Sequence, residues 1–359
     1  PEVDLFIKID EYDYLCGSSQ DMRNDIIIAE SKTNTSNKII EIQPLPMPRC
    51  EEFLDRVITT GENFAYLKIG EGCSNRCTYC AIPYIRGPFV SRKMEDIIEE
   101  AKMLVKKGIR EIIVIAQDTT KYGIDIYGES KLPELLQKIS ELPEVKWIRF
   151  LYSYPEGVSD KLIEVVKNNE KICKYFDIPI QHISNRMLKM MNRKTSKEEI
   201  EELIIKLRKE IPNVVLRTSL MVGFPGETEQ DFKELYEFVQ NAKFDKLGTF
   251  MYSKEEGTPA SRMQNQINGN TKRSRYNKIM KIQQKISNEN LQNKIGQEVE
   301  VLIENKTFDE KYFVGRTKQD VPDIDGLIYI KNNDKELMNQ FVTAKIVDVK
   351  EYDLIGELI

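Results

Sequence analysis

From about Asn63 onward, short apolar runs alternate with amphipathic stretches of helical period, and this alternation limits the fold more than any other feature of the chain. Strands are expected at 64–69, 112–116, 146–151, 175–181, 213–222 and 246–252, with helices near 132–141, 158–168, 196–210 and 228–241 between them. After the first strand, Ser91 is expected to cap a helix whose Met94, Ile97, Ile98, Ala101, Leu104 and Val105 form one apolar stripe, ending at Gly108. The unbroken run Ile112 to Ala116 suits a strand buried on both faces. Parallel strands joined by helical crossovers build an open sheet or a barrel. Six units fall short of the eight that close a full barrel, so the expected fold is α/β, an incomplete (βα)6 barrel.

Chemistry in such barrels sits at the C-terminal ends of the strands. The distinctive polar groups fall there: Cys73 to Cys80, Gln117-Asp118-Thr119-Thr120, Ser153-Tyr154, Gln181-His182 and Gly223 to Glu227. Cys73, Cys77 and Cys80 follow the spacing C-x-x-x-C-x-x-C, too cramped for disulfide geometry to use all three. A zinc ion would normally take a fourth protein ligand. None is near: the only histidine is His182, and Cys16, Cys50 and Cys173 are scattered. An iron–sulfur cube can be held by three thiolates, which leaves one iron open. A zinc ribbon or a redox loop remains the other reading of the spacing.

Residues 1–60 do not read as a complete domain. They hold strand candidates at 3–9, 26–29 and 39–42, a polar run at 31–38 and a stiff Pro44-Leu45-Pro46-Met47-Pro48 linker. The chain opens on Pro1, which is read here as the mark of a lost N-terminal piece. A long helix is expected at 270–293, with basic Lys272, Arg273, Arg275, Lys278, Lys281 and Lys285 on its surface. Short alternating runs after about 295 predict a small all-β barrel of four or five strands. No apolar run approaches membrane-span length, and clustered reduced thiols suit a cytoplasmic setting. The net charge of −5 gives no global encouragement to nucleic-acid binding. From Glu289 to Ile359, nine Lys and Arg face fifteen Asp and Glu.

The cysteine spacing, with Tyr79 immediately before the last Cys, resembles the radical S-adenosylmethionine (SAM) signature. Further motifs are similar to the methylthiotransferase family within that superfamily. They are Ala81-Ile82-Pro83, Ile85-Arg86-Gly87, Ile115 to Gly123, Ile178 to Ser184, Gly223 to Thr228, Tyr252 to Pro259 and Pro322 to Gly326. Gln117-Asp118-Thr119-Thr120 and Gln181-His182 resemble the branch acting on a ribosomal protein more than the branch acting on tRNA. The resemblance runs over the whole chain. It implies a remnant N-terminal domain and linker at 1–60, a radical core at 61–288 and a TRAM (OB-like) barrel at 289–359.

The resemblance also implies a 4Fe-4S cluster on Cys73, Cys77 and Cys80, whose open iron binds SAM. Reductive cleavage of SAM then yields a 5′-deoxyadenosyl radical, the cofactors carrying the hard chemistry. Tyr79, Gly223 and Gly226 would lie along the adenine, Gln117 and Asp118 near the methionine amino group, and Arg217 against its carboxylate; Ser153 and Gln181 complete the expected cofactor contacts. Read as residues alone, Gln117 and Asp118 could instead cap the next turn, and Arg217 could form an ordinary ion pair. His182 is expected to line or pack the site rather than act as a base. The family's second cluster needs three cysteines of the N-terminal domain, and Cys16 and Cys50 lack their spacing. The implied reaction is methylthiolation at the β-carbon of one aspartate of the twelfth small-subunit ribosomal protein. One SAM supplies the methyl group, a second supplies the radical, and an electron donor such as flavodoxin or ferredoxin is required. The acidic barrel suits a basic protein partner better than tRNA.

Overall fold

A computed structural model describes residues 29–30, 39–40, 56–332 and 336–359. The expected strand at 3–9, the 31–38 loop, the proline linker, Cys16 and Cys50 lie outside them. Ala29–Glu30 pairs antiparallel with Ile39–Ile40.

Six parallel strands form the main sheet: β1 (Phe64–Lys68), β2 (Glu111–Ile115), β3 (Trp147–Phe150), β4 (Tyr175–Asp177), β5 (Val215–Val222) and β6 (Lys246–Met251). They pair in sequence order, β3 meeting β4 through a parallel bridge between Ile148 and Ile172. Among the described residues no ladder joins β1 to β6, so the barrel is open along one side. That is the incomplete (βα)6 architecture expected.

The longer helices are α1 (Met94–Lys106), α2 (Leu132–Ser140), α3 (Asp160–Asn168), α4 (Lys197–Glu210), α5 (Glu229–Ala242) and α6 (Gly269–Gln292). Outward-facing Leu67, Val114, Phe150, Phe176 and Leu220 pack against their apolar stripes in one core. Inward-facing Phe64, Ile113, Trp147, Tyr175 and Val215 form a second core with Leu302 and Val321 of the C-terminal barrel. Both strand faces are therefore apolar, which explains the unbroken runs.

Two local expectations need correction. Ser91 does not cap α1: it pairs with Gly70, and its hydroxyl accepts from the Gly123 N–H. The Met94 N–H of the first turn donates instead to the Tyr127 hydroxyl, a tertiary partner that no capping pattern reveals. The strand at 175–181 stops at Asp177, because Pro179 has no N–H for the ladder. The Thr218 hydroxyl donates to the Ile178 carbonyl there, and parallel pairing resumes at Gln181.

A closed five-stranded barrel follows: β7 (Glu298–Lys306), β8 (Tyr312–Thr317), β9 (Ile328–Lys331), β10 (Phe341–Lys350) and β11 (Asp353–Leu358), in the order β7-β8-β9-β11-β10. This barrel stoppers the base of the open one, at the N-terminal ends of β1 to β4. Glu111 of β2 accepts from Arg149 Nε at 2.5 Å and from Arg316 Nη2 at 2.6 Å, and Arg316 also holds Glu304 at 2.7 Å. Burial alone would raise the Glu111 carboxyl, but the two guanidinium groups outweigh it and hold it below its ordinary range. Trp147 Nε1 donates to Glu300, the Tyr175 hydroxyl to Asp325, and Lys246 pairs with Asp320.

Candidate cluster and cofactor site

The cysteine loop leaves β1 at the opposite end. Gly70–Glu71 pairs antiparallel with Val90–Ser91 and closes the excursion that carries the three thiols. Gly72 has a φ of +75°, and a Cβ there would lie 2.2 Å from the Pro88 carbonyl oxygen, so this position requires glycine. The far side of the site holds the loop in place. Thr78 donates to the Met191 and Met190 carbonyls, and Ala260 donates to the Thr78 carbonyl.

Cys73 and Cys77 are buried, Cys80 is half-buried, and all three are free thiols. Burial pushes the Cys73 thiol up; a hydrogen bond from the Asn75 backbone opposes this, and charge on Cys77, Asp118 and Cys80 adds to the rise. Burial likewise raises Cys80, against a backbone hydrogen bond at Ile82 and with repulsion from Cys77. As metal ligands the three would be thiolates, and a cationic centre among them would offset their mutual repulsion. Among the described residues no three metal-binding side chains converge on a single ion position. A donor set of three cysteines suits a cluster that would leave one iron open better than mononuclear zinc, which takes a fourth protein ligand.

Asp118 is fully buried. Its Oδ2 accepts from Asn75 Nδ2 at 2.7 Å, and its Oδ1 from the Thr120 N–H and hydroxyl at 3.1 and 2.5 Å. Both oxygens are thus engaged: Asp118 caps the turn Thr119–Lys121 and fastens it to the cysteine loop. Burial raises its carboxyl, and the hydrogen bonds from Thr120 and Asn75 oppose the rise. Beside it, Gln117 Nε2 lies 3.4 Å from Glu71 while its buried Oε1 has no partner. Ser153 Oγ, buried at the end of β3, has none either. The next residue, Tyr154, places its hydroxyl 3.4 Å from Cys77 Sγ.

Across the mouth, Tyr79 packs with Met187, Met191, Phe224, Tyr252 and Ala260. Gly223 (φ +72°) leaves room for Lys272, and a Cβ on Gly226 (φ +78°) would meet Met190 Cε at 3.2 Å. Glu227 organises this turn: it accepts from the Gly223 N–H at 2.5 Å and Arg275 at 2.6 Å, and lies 3.2 Å from His182 Nε2. His182 Nδ1 accepts from the Ile183 and Ser184 N–H groups, so its proton is assigned to Nε2, facing Glu227. His182 is a buried tether between two loops. Gln181 (φ +70°) joins β5 through its backbone.

Arg217 is the third residue of β5. Its Nη1 pairs with Asp177 Oδ1 at 2.7 Å. Sequence reasoning missed Asn75 and Arg193. Arg193 stacks on the Tyr154 ring at 4.1 Å but follows a short helix rather than a strand end, so no positional signal marks it.

The Radical SAM superfamily model matches residues 67–239 and the TRAM domain model residues 295–359. The ribosomal protein uS12 methylthiotransferase RimO of Alkaliphilus oremlandii is 54% identical, covering 100% of this chain and 78% of that protein. The chain belongs to the uS12 methylthiotransferase family. The family protein of Clostridioides difficile is 48% identical over 99% of this chain and 79% of its own length. A 4Fe-4S cluster and SAM are the cofactors of this radical SAM family. Among the described residues no helix is long and apolar enough to cross a membrane.

Proposed function

We infer that this protein is a radical SAM methylthiotransferase that adds a methylthio group to the β-carbon of an aspartate in ribosomal protein uS12. The observation that carries the reading is similarity to uS12 methylthiotransferases across the whole chain, joined to a buried three-thiol loop at the barrel mouth. Cys73, Cys77 and Cys80 would hold the cluster. When bound, cluster and SAM supply a 5′-deoxyadenosyl radical that takes hydrogen from an unactivated carbon. The unpartnered Gln117 Oε1 is an acceptor suited to the methionine ammonium, and Ser153 Oγ is a second free polar group. Tyr79, Gly223 and Gly226 line the side assigned to the adenine, while Asp118 and Gln181 set the loops that bear these contacts. Arg217 is the guanidinium assigned to the carboxylate, once Asp177 shares it.

A low-potential one-electron carrier such as flavodoxin or ferredoxin completes the partner set. The test is anaerobic incubation of the reconstituted enzyme, in a form spanning the full length of the relatives, with reductant and SAM. It is offered uS12 and tRNA in parallel. Mass spectrometry should find the methylthio increment on a uS12 aspartate. An increment on tRNA alone would replace this reading with the tRNA-modifying one.

A further inference from the structure

Arg193 is 8% exposed, yet no carboxylate neutralises it at salt-bridge distance among the described residues. Nη2 donates to the Pro179 carbonyl at 2.8 Å, and buried Nη1 has no partner. The guanidinium lies over the Tyr154 ring at 4.1 Å, and the Tyr154 hydroxyl is 3.4 Å from Cys77 Sγ. An uncompensated buried guanidinium costs several kcal/mol, so a fold that keeps one should place negative charge beside it. Glu156 spends one oxygen on the Thr195 hydroxyl. Holding a cluster, Cys77 would be a thiolate and would supply negative charge at the end of this line of contacts.

We propose that Arg193 is the buried counter-ion of the cluster-bound Cys77 thiolate, and that Tyr154 links the two by donating its O–H to the sulfur. Together they set the cluster's reduction potential. A cube on three thiolates becomes more negative by one charge when it accepts an electron from a one-electron carrier protein. The carrier is oxidised by one electron, and no bond forms or breaks in this step. A fixed cation and an O–H donor favour the more negative form, and so ease reduction. Both are positioning residues, acting through Cys77.

The test is an anaerobic redox titration of the reconstituted protein, followed by electron paramagnetic resonance. Tyr154→Phe removes only the hydroxyl, Arg193→Gln removes the charge, and Arg193→Lys keeps it. The first two should each shift the one-electron equilibrium about tenfold toward the oxidised cluster, about 59 mV more negative. Arg193→Lys should recover most of that shift, with iron and sulfide per chain unchanged. Wild-type potentials in both Tyr154→Phe and Arg193→Gln would overturn the proposal. Should Arg193→Gln fail to assemble a cluster, assembly restored by Arg193→Lys supports the counter-ion, and assembly lost in both overturns it. The proposal rests on the cluster assignment: a wild-type protein taking up no iron overturns both, an unmoved potential only the proposal.

Discussion

At the base of the open barrel, Arg149 directs each guanidinium nitrogen to an acceptor: Glu111, the Lys318 carbonyl and the Thr317 carbonyl. Arg316 does the same with Glu304, the Asp320 carbonyl and Glu111. At the mouth, Gln117 Oε1, Ser153 Oγ and Arg193 Nη1 are just as buried and have no acceptor or donor. Native interiors rarely leave such groups unpaired. The satisfied end reads as structure and the unsatisfied end as a place prepared for something else. Both ends are polar, so polarity alone would not have separated them.

Substitutions can break that contrast. Cys77→Ala should abolish cluster binding and SAM cleavage, checked by iron content and by 5′-deoxyadenosine release, while thermal unfolding of the apoprotein changes little. At the base, Glu111→Ala leaves two buried guanidinium groups short of their carboxylate. It should cost about 3–5 kcal/mol in denaturant unfolding. The carboxyl lies below its ordinary 4.5 in the folded state, so its contribution is present above that value and fades as pH falls through the folded value. Glu111→Gln should therefore flatten the pH dependence of stability in the acid range; an unchanged slope would refute the assignment.

A smaller effect is expected where structure meets site. Asn75→Ala strips Asp118 Oδ2 of its donor, a loss of about 1–3 kcal/mol that should appear as weaker cluster retention. Equal cluster half-lives in variant and wild type would remove Asn75 from the site. Least of all, neutralising exposed Asp309, Glu310 and Glu351 should weaken uS12 binding a few-fold at low salt and leave SAM cleavage intact.

The ends of β1 to β4 were legible because those strands are buried on both faces and so written as apolar runs, whereas β6 exposes Phe250 and Met251. Ser91 misled because a capping residue is a local signal, whereas Tyr127 arrives from another part of the chain. β11 is hard to read from the sequence: Gly356 and Glu357 interrupt its apolar pattern, and it becomes a strand by closing the barrel between β9 and β10. The acidic count over 289–359 overstates the free surface, since Glu300, Asp320 and Asp325 bond Trp147, Lys246 and Tyr175 of the radical core. At the mouth, the cysteines carry their spacing in the sequence. Arg193 acquires meaning only when the fold lays it on Tyr154.

The Glu111–Arg149–Arg316 lock bears on how such chains can be recombined. A terminal barrel exchanged between relatives must bring an arginine at the place of Arg316, with an acid like Glu304 beside it, or it leaves Glu111 and Arg149 short of a partner under the hybrid. Swapping that barrel to change the substrate is therefore not a cut-and-paste operation. The graft has to be matched at its hidden seam before its outer surface can matter.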